Sequence, residues 1–523
     1  MTNYDYIIIG AGSAGCVLAN RLTADGDTTV LLLEAGNPDT KPEIQSPSAT
    51  LSLLGSEVDW GYFSEPEPYL NNRQIYCPSG KVLGGSSAIN LMIYIRGNHR
   101  DFDRWQELGN PGWSYQDMLP YFKKSEHSSR GASKFHGTDG ELSVTDEISP
   151  TAISQRYIDA AMALGYDYNP DFNGVQQAGV GRYQCTIKDG KRHSTAAAFL
   201  VPILQRPNLT VITGALATRL LFEGTRAVGV EYLREGMLHQ IGVDLETIVS
   251  AGVFDSPKLL MLSGIGDAKH LQAMGISVVV DRPGVGQNLQ DHLLLAVVHQ
   301  ATQELHFVGT SSIAEAGLFL HSESDAEVIP NLQFYFAPIQ LLSPGYTPTD
   351  FGFSGAISVT DMQNVGSVSL RSAVPKDAPM IRMNFLQYEA DVQKSVAAIK
   401  LTRQLFHNSA FDEFRGAEIA PGADVTSDEA LVDYIRATGS SVYHPVGTCK
   451  MGNDPMAVVD PELRVHGVEG LRVVDASIMP TLTTGNTNAP TIAIAEKAAD
   501  LIKAAHSTLS RSQNLVSARG GRH

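Results

Sequence analysis

The stretch "YDYIIIGAGSAGCVLANRLTADGDTTVLLLEAG", Tyr4 to Gly36, decides the fold. An apolar run from Tyr6 to Ile9 predicts a buried strand, and Gly10, Gly12 and Gly15 follow it in GxGxxG spacing. A helix with small residues on its packing face (Ala14, Ala19) comes next, then a second strand that ends at Glu34 and Ala35. Each piece has a mechanical reason. Gly10 permits the tight turn, Gly12 lets backbone approach a pyrophosphate, and Gly15 lets helix and strand pack closely. The first turn of the helix, at Ser13 and Ala14, offers unpaired N–H groups and a partial positive charge to phosphates. Glu34 lies where a carboxylate accepts hydrogen bonds from ribose hydroxyls, and its charge repels a 2′-phosphate. One βαβ unit thus predicts a dinucleotide site for FAD or NAD rather than NADP.

Working outward, the 523 residues suffice for two or three domains with sizeable cores. A net charge of −17 without a cluster of Lys or Arg argues against nucleic acid as a partner. "MTNYDYIIIG" has no basic n-region, and no apolar segment reaches the roughly 20 residues of a spanning helix. No transmembrane segment and a cytoplasmic location are expected. The four cysteines (Cys16, Cys77, Cys185, Cys449) are widely spaced without CxxC, which suits a reducing compartment and argues against a disulfide framework and a zinc site.

Strand-like runs such as "TVLLLEAG", "TIVSAG" and "LRVVDAS" recur early, midway and late, whereas "NLQFYFAPIQ", "GAISVTDM" and "GSVSLRS" alternate like antiparallel strands. This predicts an α/β chain in which one domain is assembled from residues 1–150, 190–300 and 440–505. A second, α+β domain takes 151–189 and 301–439, and 506–523 reads as a frayed tail.

The loop "PSGKVLGGSSAINLMIYIRGN", Pro78 to Asn98, has Gly84 and Gly85 to bring backbone near a flat or phosphorylated ligand, and Asn90 to offer an amide. From here the sequence resembles the glucose–methanol–choline (GMC) oxidoreductases. Gly80 to Asp103 resembles the family's first signature. "GVFDSPKLLMLSGIG" (Gly252 to Gly266) resembles the second, departing only at Val253, where a small residue is usual. "PGVGQNLQDH", "VVDASIMP" and "GNTNAPTIAIAEKAADLI" follow in family order. The resemblance implies a Rossmann-like FAD domain of separated segments and a substrate domain with a six-stranded antiparallel sheet. It places the loop Gly84 to Asn90 along the flavin, Asp475 and Ala476 near the pyrophosphate–ribityl region, and Ala217 near the adenine. The position at which some members attach FAD through a histidine is here Ile89, so noncovalent FAD is expected.

Oxidising an alcohol requires an acceptor for hydride and a base for the hydroxyl proton. Imidazole suits the second role, with an ordinary pKa of about 6.5. By resemblance the catalytic histidine is His444 in "SSVYHPVGTCKMG", and Tyr443 shapes the pocket. Its partner in the family is a His or Asn some 43 or 44 residues on, which here selects Asn488 and passes over Asn486. His292, beside Asp291, is read as a structural cap or salt link, and Trp60, Trp105 and Trp113 as core or packing residues. "FAPIQLL" reads as core before pocket lining. For a choline substrate, Tyr335 and Phe336 are candidates for an aromatic cage. The implied activity is oxidation of a primary alcohol, aromatic alcohols included, to the aldehyde, with O2 or a quinone as electron acceptor. The alternative is a hydroxynitrile lyase on the same scaffold. A light-driven decarboxylase is disfavoured because no Cys lies between Cys185 and Cys449.

Overall fold

The computed structural model describes residues 3–146, 150–306, 309–310, 312–322 and 329–520, with side chains through 506. Five strands lie parallel in the order Leu209–Ile212, Val30–Leu33, Asn3–Ile9, Met237–Val249 and Leu471–Val473. Sequence-distant segments therefore share one Rossmann-like sheet. Arg226–Arg234 and Leu216–Glu223 extend it antiparallel from the first half of Met237–Val249. The near-continuous apolar character of the parallel strands follows from burial on both faces, with Ile7, Ile8 and Val30 to Leu32 fully buried.

Helix Ser13–Leu22 follows the first strand and packs against the long helix Asn488–Gly520. The fingerprint glycines behave as their spacing predicts. Gly10 sits at φ +100°, and a Cβ there would lie 2.3 Å from the Ser250 carbonyl oxygen. A Cβ on Gly15 would lie 1.9 Å from the Gly10 carbonyl oxygen, so helix and strand approach this closely only without one. At the other end of the chain, helix Asn488–Gly520 runs through most of the stretch expected to fray; 521–523 lie outside the described residues. No helix among the described residues is long and apolar enough to cross a membrane.

The second sheet is antiparallel, in the order Arg415–Ala420, Leu293–Ala301, Gly352–Val359, Leu332–Ala337, Ala316–Leu320 and Gly179–Arg182. The short strand Ser440–Ser441 pairs with the beginning of Leu293–Ala301, on the same edge as Arg415–Ala420. The expected six strands are therefore seven, in six positions. Alternation gives the sheet two different faces. Leu293, Leu295, Phe334, Phe336, Phe353 and Ile357 join a large apolar core, over which helices Glu389–His407 and Ala152–Ala163 pack. The opposite face carries Leu294, Gln333, Tyr335, Ala337, Ala356 and Ser358, which stand in register across neighbouring strands. Phe336 thus points away from the face that holds Tyr335, so it forms no cage with it.

Trp105 and Trp113 are fully buried as expected. Trp60 is half-buried, packs against the core of the second sheet and lines the cavity described next.

Candidate active site

A cavity of about 400 Å³ runs from Glu34 and Ala217 at the parallel sheet to His444 and Asn486 beside the antiparallel one. Its first half is made chiefly of backbone. Gly10, Gly12, Ser13, Ala14, Ala35, Gly85, Asp475 and Ala476 line it, as does the start of helix Gly252–Leu262. A Cβ added to Gly12 would enter this space, with Gly85 Cα, 3.9 Å away, the nearest atom. The Ser250 hydroxyl lines the cavity and is buried without a partner among the described residues. Glu34 Oε2 accepts from the Ala11 N–H (2.8 Å) and Oε1 from the Gly36 N–H (2.7 Å). Burial nevertheless pushes its carboxyl up to about 7. Hydroxyl donors from a ribose would relieve that penalty.

Several predicted residues line the cavity in other ways than expected. Asp475 accepts from Gly252 N–H (2.9 Å), Ser256 Oγ (2.6 Å) and Ser477 N–H (2.8 Å), so its carboxylate positions the turn before the helix. Gly84 does not line the cavity. It stands behind it at φ +91°, where its N–H donates to the Ala11 carbonyl (2.8 Å) and ties the second loop to the fingerprint. Asn90 lines the cavity, but its Oδ1 is occupied by Met92 N–H (3.0 Å) and Arg192 Nη1 (2.9 Å). Arg192, missed in the sequence, is buried and also donates to the carbonyls of Asn90 (2.5 Å) and Ile44 (2.9 Å). Burial lowers its guanidinium to about 9, the cost of clamping this loop from beneath.

The largest correction concerns the asparagines. Asn488, the first residue of its helix, accepts through Oδ1 from Ser13 Oγ (2.7 Å) and so belongs to the fingerprint end. Asn486 instead places its Nδ2 2.9 Å from His444 Nε2. A spacing taken from relatives fails here because the chain between the two segments is mostly irregular, broken only by the short strand Leu471–Val473 and the turn Ala476–Ile478, so its length is free to vary.

The direction of each hydrogen bond around His444 follows from one backbone carbonyl. Tyr183 must donate its hydroxyl proton to the Phe334 carbonyl (2.8 Å), so its oxygen accepts from Gln333 Nε2 (3.1 Å). The same Nε2 donates to Asn486 Oδ1 (3.2 Å), which turns Asn486 Nδ2 toward His444. His444 Nε2 is therefore an acceptor, and its proton sits on Nδ1, 3.1 Å from His292 Nδ1. His444 is buried and its imidazole is lowered to about 3 by that burial, so the ring is neutral with a lone pair on Nε2. His292 joins this array through its ring and makes no salt link. The Asp291 carboxylate accepts the main-chain N–H of His292 (2.8 Å) and His444 (2.9 Å) and the Ser441 hydroxyl (2.5 Å), which fixes the backbone. Tyr443 lines the mouth of the cavity at φ +71°, about 38% exposed. Ala337 and Leu341 of "FAPIQLL" line the cavity as well.

Comparison with known proteins identifies the family. The GMC oxidoreductase family models match residues 4–294 (N-terminal) and 363–495 (C-terminal). The chain belongs to the GMC oxidoreductase family. It is 44% identical to the oxygen-dependent choline dehydrogenase of Rhizobium rhizogenes over 95% of each chain. It is also 44% identical to the mitochondrial choline dehydrogenase of Mus musculus, covering 96% of this chain and 89% of the mouse protein. Among solved structures, pyridoxine 4-oxidase from Mesorbium loti superposes with a TM-score of 0.91 at 33% identity, covering 95% of this chain and 99% of that one. As a GMC oxidoreductase the protein is an FAD-dependent enzyme acting on CH–OH groups. The open cradle at Gly12, the unpartnered Ser250 hydroxyl and the buried Glu34 carboxylate fit that cofactor.

Proposed function

We propose that the enzyme oxidises a primary alcohol, aromatic alcohols included, to the aldehyde, with His444 as the base and Asn486 as the group that orients the alcohol oxygen. The observation that carries this is the juxtaposition of an unprotonated Nε2 and an amide N–H at 2.9 Å on the cavity wall. An alcohol oxygen that displaces the Asn486 N–H from Nε2 accepts from Asn486 Nδ2 and delivers its proton to His444 Nε2. Bound FAD supplies a two-electron acceptor for the hydride from the alcohol carbon. As the proton arrives, the His444 imidazolium and the Asn486 amide hold the oxygen in place, the first by charge and the second by dipole. Asn486 does not ionise, so it orients the oxygen without competing for the proton.

FAD is held, in this reading, by Gly10, Gly12, Ser13, Ala14, Gly85 and the helix start at Gly252 around the pyrophosphate. Glu34 and Ala35 take the ribose, and Ala217 lies beside the adenine. Asp475 and Ala476 approach the ribityl chain. Ile89 has no nucleophile, which supports noncovalent attachment. Four buried free cysteines support a cytoplasmic setting. The acceptor is O2 or a quinone.

The test is anaerobic reduction of the bound flavin by a panel of alcohols, followed through its visible band, and then admission of air. His444→Ala should slow bleaching about 1000-fold, within the range for a lost general base, with FAD content unchanged. Rapid return of the band in air assigns O2 as acceptor, and slow return a quinone. A fully loaded enzyme that no alcohol bleaches would overturn the oxidation reading and revive the lyase alternative.

A further inference from the structure

Beside His444 the cavity wall is a separate apolar cluster. Ile93, Ala314, Tyr335 and Ala356 form it, with Leu91 and Leu294 packed against it, and all six line the cavity. Among the described residues, the carboxylates that line the cavity are Glu34, Asp255 and Asp475, all at the nucleotide end. Asp255 accepts there from Tyr62 Oη (2.9 Å) with Lys258 Nζ 3.5 Å away. Asp291 lies behind His444 and spends its oxygens on two main-chain N–H groups and Ser441. Glu315, next in the chain to Ala314, turns away and accepts from Thr151 N–H (2.8 Å) and Thr151 Oγ1 (2.7 Å).

The aromatic rings are already engaged too. One face of Tyr335 stacks on Tyr183 at 5.7 Å. Trp60 stacks on Tyr62 at 5.7 Å and carries the Lys81 ammonium 4.5 Å from its ring centre. Tyr443 meets Tyr76 edge to face at 6.2 Å. A quaternary ammonium is held by aromatic faces or a carboxylate that replace its hydration. Without them, the cost of desolvating the cation stands unpaid.

We propose that the substrate end of this cavity selects a neutral alcohol with an apolar body and discriminates against a quaternary ammonium alcohol. The proposal rests on the alcohol oxidation proposed above. It separates this chain's specificity from what the names of its choline dehydrogenase relatives suggest. The net charge of −17 draws cations toward the surface as a whole, but among the described residues the wall beside His444 presents no carboxylate to hold one.

Choline and its neutral isostere 3,3-dimethylbutan-1-ol have nearly the same shape and differ in charge. In anaerobic reduction of the FAD-loaded enzyme, kcat/KM for the isostere should exceed that for choline about 30-fold, the missing cation contacts and the desolvation both counting against choline. Ala356→Asp, which puts a carboxylate on the wall, should narrow this ratio about tenfold. Calorimetric titration of the anaerobic, dithionite-reduced holoenzyme with the same pair reads the preference without turnover, because a reduced flavin accepts no hydride. Equal or faster reduction by choline would overturn the proposal while leaving alcohol oxidation intact. Failure of both compounds and of the wider panel to reduce the flavin would overturn the oxidation reading, and calorimetry would still decide the preference. Tighter binding of choline would then sink it.

Discussion

The two ends of the cavity are built from different materials. The nucleotide end is backbone: glycines whose missing Cβ atoms make room, helix starts at Ser13 and Gly252, and one carboxylate anchored by two main-chain N–H groups. The catalytic end is a relay of side chains, from Tyr183 through Gln333 and Asn486 to His444 and His292, set by one carbonyl. A backbone cradle depends on local conformation and tolerates change in its surroundings. A side-chain relay works only if every member points the right way, because reversing one amide reverses the role of the next nitrogen.

The two asparagines give the sharpest way to break this contrast. Asn486→Ala removes the donor at the alcohol oxygen and should slow flavin reduction about 100-fold, as loss of such a donor does elsewhere, with FAD content unchanged. Asn488→Ala should leave reduction within about threefold and instead weaken FAD retention, since its hydrogen bond to Ser13, of about 1 kcal/mol, belongs to the nucleotide end. Stopped-flow reduction and FAD fluorescence measure the two effects separately. The opposite pattern would return the catalytic role to Asn488.

Gln333 tests the relay without touching the cavity's reacting groups. Gln333→Glu replaces the donor facing Asn486 Oδ1 with an acceptor, which favours the flipped amide and presents an oxygen to His444 Nε2. That stabilises the Nε2–H tautomer and removes the base. Gln333→Leu only removes the constraint. The carboxylate variant should lose about 30-fold in flavin reduction, and the leucine variant less, about fivefold, both within what misdirected proton transfer costs. Imidazole ¹⁵N shifts should report the tautomer change in the first variant alone. Equal losses with an unchanged tautomer would reduce Gln333 to a packing residue.

The contrast also explains what could be read from the chain in advance. The fingerprint is contiguous, so strand, glycines, helix and Glu34 are legible as a unit, and the parallel strands that complete the sheet are apolar enough to be seen. His444 was reachable through its segment. Asn486 was visible only as a neighbour of Asn488. Which of the two meets His444 depends on where the helix begins, and a residue count between the two segments does not carry that information. Gln333 occupies a strand, Tyr183 the break between two short strands of a separate stretch, and Arg192 a short hairpin; their polar contacts exist only after the sheet and loops have assembled. Phe336 and Tyr335 are adjacent in sequence, and the pleat alone puts them on opposite faces.

The remaining effect belongs to the nucleotide end and turns on sign. In the FAD-free protein, burial holds the Glu34 carboxyl up at about 7. Ribose hydroxyls donate to the ionised carboxylate and not to a carboxylic acid that must give its own proton, so bound FAD lowers that pKa. Binding therefore releases a proton at pH values between that lowered pKa and about 7, and across this window affinity rises with pH before it levels. The slope there approaches tenfold per pH unit, the limit for one linked proton. Titrating apoprotein with FAD from pH 5 to 8 measures this through quenching of flavin fluorescence. Glu34→Gln has no proton to release, so its affinity should be weaker above pH 7 and flat across the range. A slope that survives in Glu34→Gln would place the linked proton elsewhere. It would also remove the carboxylate from its role at the ribose, leaving the backbone cradle to account for FAD binding alone.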